Sequence, residues 1–164
     1  MTLTVRPFLP DEAPVLGAVR MEALANTPDA FAEHVQVAMA AGGEDFSARL
    51  SRGEIWGAFL DGACVGMAGL EPYVGANVRH KATVWGVYVG PAARGRGAGQ
   101  ALFEAIIDHA RAVGVEVLQL GVGDFNAPAQ RLYRRMGFEP YGLERRALKL
   151  EGRYIDEVLM ALYL

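Results

Sequence analysis

Between Lys81 and Val113 an apolar, β-branched stretch gives way to three closely spaced glycines and then to a strongly periodic segment. Few architectures accept that order. Lys81–Val89 reads as a strand, and Pro91–Gly99, ending in Arg94-Gly95-Arg96-Gly97-Ala98-Gly99, reads as a loop that feeds a helix. Leu102, Phe103, Ile106, Ile107, Ala110 and Val113 then recur at three- and four-residue spacing as one apolar face, and Gly114 is a C-terminal stop. A helix that starts just after such a loop aims several unpaired backbone N–H groups at one spot. The helix dipole adds attraction for negative charge there, and glycines let the backbone itself approach a ligand closely. Charge-assisted hydrogen bonds contribute about 1.5–3 kcal/mol each. Three or four of them supply much of the roughly 8 kcal/mol that micromolar binding requires. A pyrophosphate-bearing ligand fits this cradle; a plain flexible loop is the competing reading.

Two other phosphate motifs are excluded by what surrounds the glycines. A Walker A loop needs Lys and then Ser or Thr after its last glycine, whereas Gln100-Ala101 follows Gly99. A dinucleotide fingerprint needs its glycines directly after a strand and a sheet of repeated crossovers. Glycines 95, 97 and 99 stand several residues beyond the strand, and only one crossover is legible, although Asp124 after the next strand could mimic a ribose-binding acid.

The remaining elements follow from alternation and turn residues. Leu3–Pro7 reads as a first strand, and Asp11 is placed to cap a helix reaching about Ala25 with Pro14 in its first turn. Thr27-Pro28-Asp29 breaks it, and a second helical piece spans Glu44 to Arg52. Strands are expected at Ile55–Leu60, Val65–Pro72, Val115–Val122, Phe138–Leu150 and Arg153–Leu162, with hairpin turns at Asp61-Gly62 and Glu151-Gly152. A helix runs from Ala127 to Met136 and stops at Gly137. No linker or repeat divides the chain, so residues 1–164 are expected to form one domain. Hairpins dominate, and the single helical crossover implies one parallel pair, Lys81–Val89 beside Val115–Val122, in a mostly antiparallel sheet.

Composition narrows the partners. A net charge of −3 argues against a nucleic-acid binder, and the arginine clusters at Arg94/Arg96 and Arg131/Arg134/Arg135 suit a small phosphorylated ligand. Apolar runs are far shorter than the roughly 20 residues needed to span a bilayer. Met1–Pro10 lacks signal-peptide character. Neither a membrane nor a nucleic acid is expected as a partner, and the expected location is cytoplasmic. Cys64 stands alone, and His34, His80 and His109 show no ligand spacing, so no metal is implied.

Arg94-Gly95-Arg96-Gly97-Ala98-Gly99 resembles the Q/R-x-x-G-x-G/A coenzyme A loop of the GNAT superfamily of N-acetyltransferases. Val87-Tyr88-Val89 resembles the family strand whose backbone pairs with pantetheine. Asn126-Ala127-Pro128-Ala129, Leu132-Tyr133 and Met136-Gly137-Phe138 resemble its second coenzyme segment, and the element order matches over nearly the whole chain. The resemblance implies an α/β (α+β) fold: a mixed, mostly antiparallel sheet of about seven strands, helices on both faces, and a splayed parallel strand pair. The pantetheine amides would fill the splay like a short strand. Gly86, Gly90, Gly121 and Gly123 flank the strands expected to part, where glycine suits a bulge or a close ligand, though strand endings explain them too.

The implied function is transfer of an acetyl group from acetyl-CoA, as co-substrate, to a primary amine by direct attack. The implied cofactor-binding residues are Val87, Tyr88, Val89, Arg94, Gly95, Arg96, Gly97, Ala98, Gly99, Asn126 and Tyr133. Asn126 also reads as a helix N-cap, and the two roles are compatible. Tyr133 would hydrogen-bond the departing sulfur. An alkyl ammonium with a pKa near 10.4 is about 4 kcal/mol short of its attacking form at neutral pH. A base is therefore expected: Glu71, or as a second candidate Glu33. Cys64 as a covalent acyl carrier is set against simple burial. The acceptor pocket is expected from the N-terminal helices, the turn at Thr27–Phe31 and the last hairpin. There Tyr154 and Asp156 share a face and Glu157 points the other way; these acids either attract a cation or solvate a hairpin. Small amines and peptide N-termini both remain open as acceptors, and a homodimer is compatible with the resemblance. A non-catalytic acyl-CoA-binding regulatory domain is the rival reading.

Overall fold

The computed structural model describes residues 1–32 and 46–164. Seven strands form one mixed sheet in the order β1-β2-β3-β4-β5-β7-β6. They are β1 (Leu3–Pro7), β2 (Ile55–Leu60), β3 (Ala63–Pro72), β4 (Lys81–Val89), β5 (Val117–Gly123), β6 (Glu139–Leu150) and β7 (Arg153–Tyr163). The helices are α1 (Ala13–Asn26), α2 (Ser47–Ser51), α3 (Ala98–Ala112) and α4 (Ala127–Arg135). β4 and β5 are parallel neighbours, while β1–β2, β2–β3, β5–β7 and β6–β7 pair antiparallel. The element order and the mixed sheet are those expected. Among the described residues no helix is long and apolar enough to cross a membrane.

The chain divides into two compact units, the first made of Met1–Leu70 with Trp85–Ile106, the second of Glu71–Val84 with Ile107–Leu164. In the first, Asp61 (φ 48°) and Gly62 (φ 86°) take the left-handed conformation that closes a tight β2–β3 hairpin. Leu16, Val19 and Ala23 recur along α1 and bury against Phe8, Ile55 and Met67. Asp11 does not cap α1: it lies in a 3-10 turn, Pro10–Glu12, that precedes the helix. Glu12 takes the cap position without capping, because its carboxylate is held elsewhere. Both its oxygens accept from the Arg6 guanidinium at 2.7 Å, and one also accepts from the Leu9 N–H at 2.8 Å. The Arg6 bonds, and then that backbone bond, hold the Glu12 carboxyl at about 2. Of the helix expected over Glu44–Arg52, Ser47–Ser51 is helical and Glu44 lies outside the described residues.

In the second unit the parallel ladder pairs Lys81 with Val117, Ala82 with Leu118 and Thr83 with Gln119. β4 continues to Val89 and β5 to Gly123 beyond those pairs. The β6–β7 hairpin turns at Glu151 (φ 49°) and Gly152 (φ 81°). Its register shifts between Glu144 and Leu148, where Arg146 (φ 56°) donates its backbone N–H to Asp156 Oδ1 at 2.7 Å. On α3, Leu102, Phe103, Ile106, Ile107 and Ala110 are buried as their spacing predicts. Val113 is not part of that face. The helix ends at Ala112, Gly114 turns left-handed (φ 81°), and Val113 is 56% exposed.

Two glycines give opposite predictions for the first unit. A Cβ on Gly69 would run into the Trp85 indole, whereas one on Gly17, within α1, meets nothing within 4 Å. Gly69→Ala should lose about 1–3 kcal/mol through overpacking. Gly17→Ala should gain up to about 1 kcal/mol from helix propensity. Urea denaturation of the two variants checks both signs.

Candidate active site

In the first unit the candidate site begins at Gly86, whose φ of 61° puts a left-handed residue inside β4. Val87 and Val89 are half-buried, and Tyr88 is buried. The Tyr88 hydroxyl donates to Glu22 Oε1 at 2.8 Å and accepts from Asn26 Nδ2 at 2.9 Å. Burial above all pushes its phenol up. The Tyr88 side chain is thus committed to α1, and it pins the Val87–Val89 backbone rather than offering a group to a ligand. Glu22 and Asn26 escape sequence reasoning. Their only local signal is a four-residue separation on an exposed helix face, and their partner is far away in the chain.

After β4, Gly90 donates to Val65 O at 2.8 Å and Ala93 to Gly90 O at 2.9 Å, closing a 3-10 turn over Pro91–Ala93. Arg94 Nε returns to Val89 O at 3.1 Å, tying the loop to the strand it left. Gly95 (φ 73°) and Gly97 (φ 82°) hold conformations that a side chain would strain, and a Cβ on either would stand in open space. The Arg96 N–H is used by Ala93 O, and the first helical bond is Ala101 N–H to Gly97 O at 2.9 Å. The backbone N–H groups of Gly95, Gly97, Ala98, Gly99 and Gln100 have no partner among the described residues. Five free donors at a helix start, in a loop whose exposed residues include Arg94 and Arg96, make an anion site.

In the second unit Asn126 Oδ1 accepts from Ala129 N–H at 3.2 Å, so the expected cap is present, with Pro128 in the first turn. Asn126 N–H donates to Gly123 O at 2.9 Å, which joins the end of β5 to the start of α4. Tyr133 is 7% exposed, its ring tilted against Phe138 with centroids 6.2 Å apart. Burial drives its phenol well above the ordinary tyrosine range. A neutral phenol can both donate and accept a hydrogen bond. Glu71 lies exposed at the end of β3, and Glu33 and His34 fall outside the described residues. Cys64 is half-buried, and desolvation pushes its thiol up, the reverse of what a nucleophilic thiolate needs.

The structure thus joins Val87–Val89 to Arg94–Gly99 in one unit and sets Asn126 and Tyr133 along α4 in the other. Comparison with known proteins identifies the family and the fold. Residues 21–138 match the acetyltransferase (GNAT) family. An L-methionine sulfoximine/L-methionine sulfone acetyltransferase of Pseudomonas paraeruginosa is 38% identical over 78 residues, 48% of this chain and 45% of that protein. The chain spans about half the length of the curated relatives it matches. A GNAT-family acetyltransferase from Streptococcus pneumoniae superposes with a TM-score of 0.87 at 26% identity, over 99% of this chain and 100% of that one. The fold is shared too by yncA of Salmonella typhimurium, solved with its cofactor acetyl-CoA (TM-score 0.82, 24% identity, 100% of this chain and 95% of that one). A match over most of the length, on a seven-stranded mixed sheet with this loop after its fourth strand, settles the family: the chain belongs to the GNAT acetyltransferases.

Proposed function

We propose that the protein is an N-acetyltransferase that moves an acetyl group from acetyl-CoA to a primary amine of a small molecule or peptide, by direct attack in a ternary complex. The observation that carries this reading is the row of N–H donors at Gly95 and Gly97–Gln100, which suits a diphosphate and has no partner among the described residues. Acetyl-CoA would supply the activated acyl group as a thioester. Arg94 and Arg96 would add charge to the backbone cradle. Val87–Val89 would offer main-chain groups to the pantetheine arm. This is supported by the parallel ladder, whose pairs reach only Thr83 and Gln119. Asn126, besides capping α4, would contact the same arm through its amide nitrogen.

Tyr133 would hydrogen-bond the departing sulfur. An ordinary phenol already lies above a thiol by roughly 2 kcal/mol in proton affinity, and burial widens the gap. Its proposed role is therefore hydrogen bonding to the sulfur in the transition state. The raised Cys64 thiol supports direct attack over an acyl-enzyme. The acceptor ammonium must lose a proton first; Glu71, exposed near the end of β3, is the base expected from the sequence.

Three measurements test this. Thiol release from acetyl-CoA across a panel of small amines, amino acids and peptides should show turnover with at least one of them. Saturable binding without any thiol release would point instead to a regulatory acyl-CoA-binding domain. Gly97→Ala should weaken acetyl-CoA binding about tenfold by calorimetry, because the new methyl group enters the cradle and strains the loop. Gly114→Ala, equally left-handed but outside the cradle, should leave affinity unchanged. Tyr133→Phe should lower kcat by about 100-fold while acetyl-CoA affinity stays within threefold; an unchanged kcat would remove Tyr133 from the mechanism.

A further inference from the structure

β7 brings one carboxylate to the end of β5. In the sheet register Glu157 sits beside Gly123 on one side and Glu144 on the other. Its side chain is half-buried and folds back over β5, so that a Cβ on Gly121 would lie 2.7 Å from Glu157 Oε2. Gly121 itself is exposed, and it lies beyond the last β4–β5 pair at Gln119. The missing side chain at 121 is what lets the Glu157 carboxylate lie on the strand backbone there.

Asp156 and Tyr154, neighbours of Glu157 on this hairpin, have structural duties. Asp156 Oδ1 holds the Arg146 N–H, and Tyr154 lies under the Arg146 guanidinium at 4.7 Å and the Lys149 ammonium at 5.1 Å. Glu157 has no such partner. Among the described residues no lysine or arginine pairs with Glu157 or Glu144, although the two stand directly opposite. Like charges facing each other across a ladder are destabilising. Desolvation first, and the Glu144 charge second, push the Glu157 carboxyl up. From β5, Gly121 brings no charge to offset this, and from β7 Leu159 brings none.

We propose that Glu157 is the general base of the transfer reaction, seated over Gly121 to take the proton of the acceptor ammonium, with Glu144 adding attraction for that cation. The assignment rests on the transferase reading and replaces Glu71 with a carboxylate whose place on the sheet is built. In the step, the ammonium gives one proton to Glu157, which passes it to solvent. The freed nitrogen lone pair forms the N–C bond to the acyl carbon as the C–S bond breaks. The sulfur leaves with that electron pair and ends as a thiol, taking the nitrogen's second proton. One amide, one thiol and one released proton result.

The test is the pH dependence of thiol release in Glu157→Gln and Gly121→Ala, with an amine that wild type acetylates. At pH 7, Glu157→Gln should lose about 100-fold in kcat/KM for the amine, with the acetyl-CoA KM within twofold. That deficit should shrink as the pH nears about 10.4, where the amine deprotonates unaided. Its Tm should not fall, since the substitution removes a like-charge contact. Gly121→Ala, which displaces the carboxylate chemically intact, should lose part of the same activity at pH 7. Wild-type turnover retained within threefold by both variants, or a Glu157→Gln deficit equal at pH 7 and pH 10, overturns the base assignment alone. Wild type that releases no thiol with any amine overturns the transferase reading and this one with it.

Discussion

The architecture turns on what happens to the main chain between Val89 and Ala101. A strand ends, a short 3-10 turn reverses the path, and a helix begins with its first donors unpaired. Helices in folded proteins satisfy those groups with caps, water or ligands. Here the cap position is Gly97, which has no side chain to offer, and Gly95 before it is equally bare. Among the described residues nothing takes up these donors, which leaves them available to a ligand. Negative charge is the natural occupant, since the dipole and both arginines pull the same way.

Holding those donors in place requires rigidity on either side. On one side Tyr88 is fixed to α1 by Glu22 and Asn26, Gly90 is fixed to Val65, and Arg94 closes back onto Val89. On the other, Leu102, Phe103 and Ile106 anchor α3 in the core. Between these anchors stand Gly95 and Gly97. Such an arrangement limits the conformational entropy lost when a ligand binds, because little of the cradle remains to be ordered.

Much of this was legible in the chain. Ile55–Leu60 and Lys81–Val89 are bounded by strong punctuation, Gly53 and Asp61-Gly62 for the first and Gly90-Pro91 for the second, and both strands end where expected. The family loop was legible because it is contiguous, and Gly95 and Gly97 within it take left-handed φ values that favour glycine. The misreadings share a cause. Asp11 looked like a cap because capping rules are local, but Glu12 answers to Arg6, and the turn it stabilises moves the helix start. Val113 obeyed the period of a helix that had already ended. Glu22 and Asn26 meet a tyrosine more than sixty positions away, at separations of 66 and 62 residues, which no local pattern encodes. The seat of Glu157 over Gly121 likewise depends on a strand register that neither residue announces.

Backbone amide shifts of isotopically labelled protein, titrated with coenzyme A, test the central claim most directly. The resonances of Gly95, Gly97, Ala98, Gly99 and Gln100 should move saturably and together, and more than those of the Gly114 stop at the other end of α3. Saturable binding that leaves these five amides in place, or no binding at all, would contradict the account.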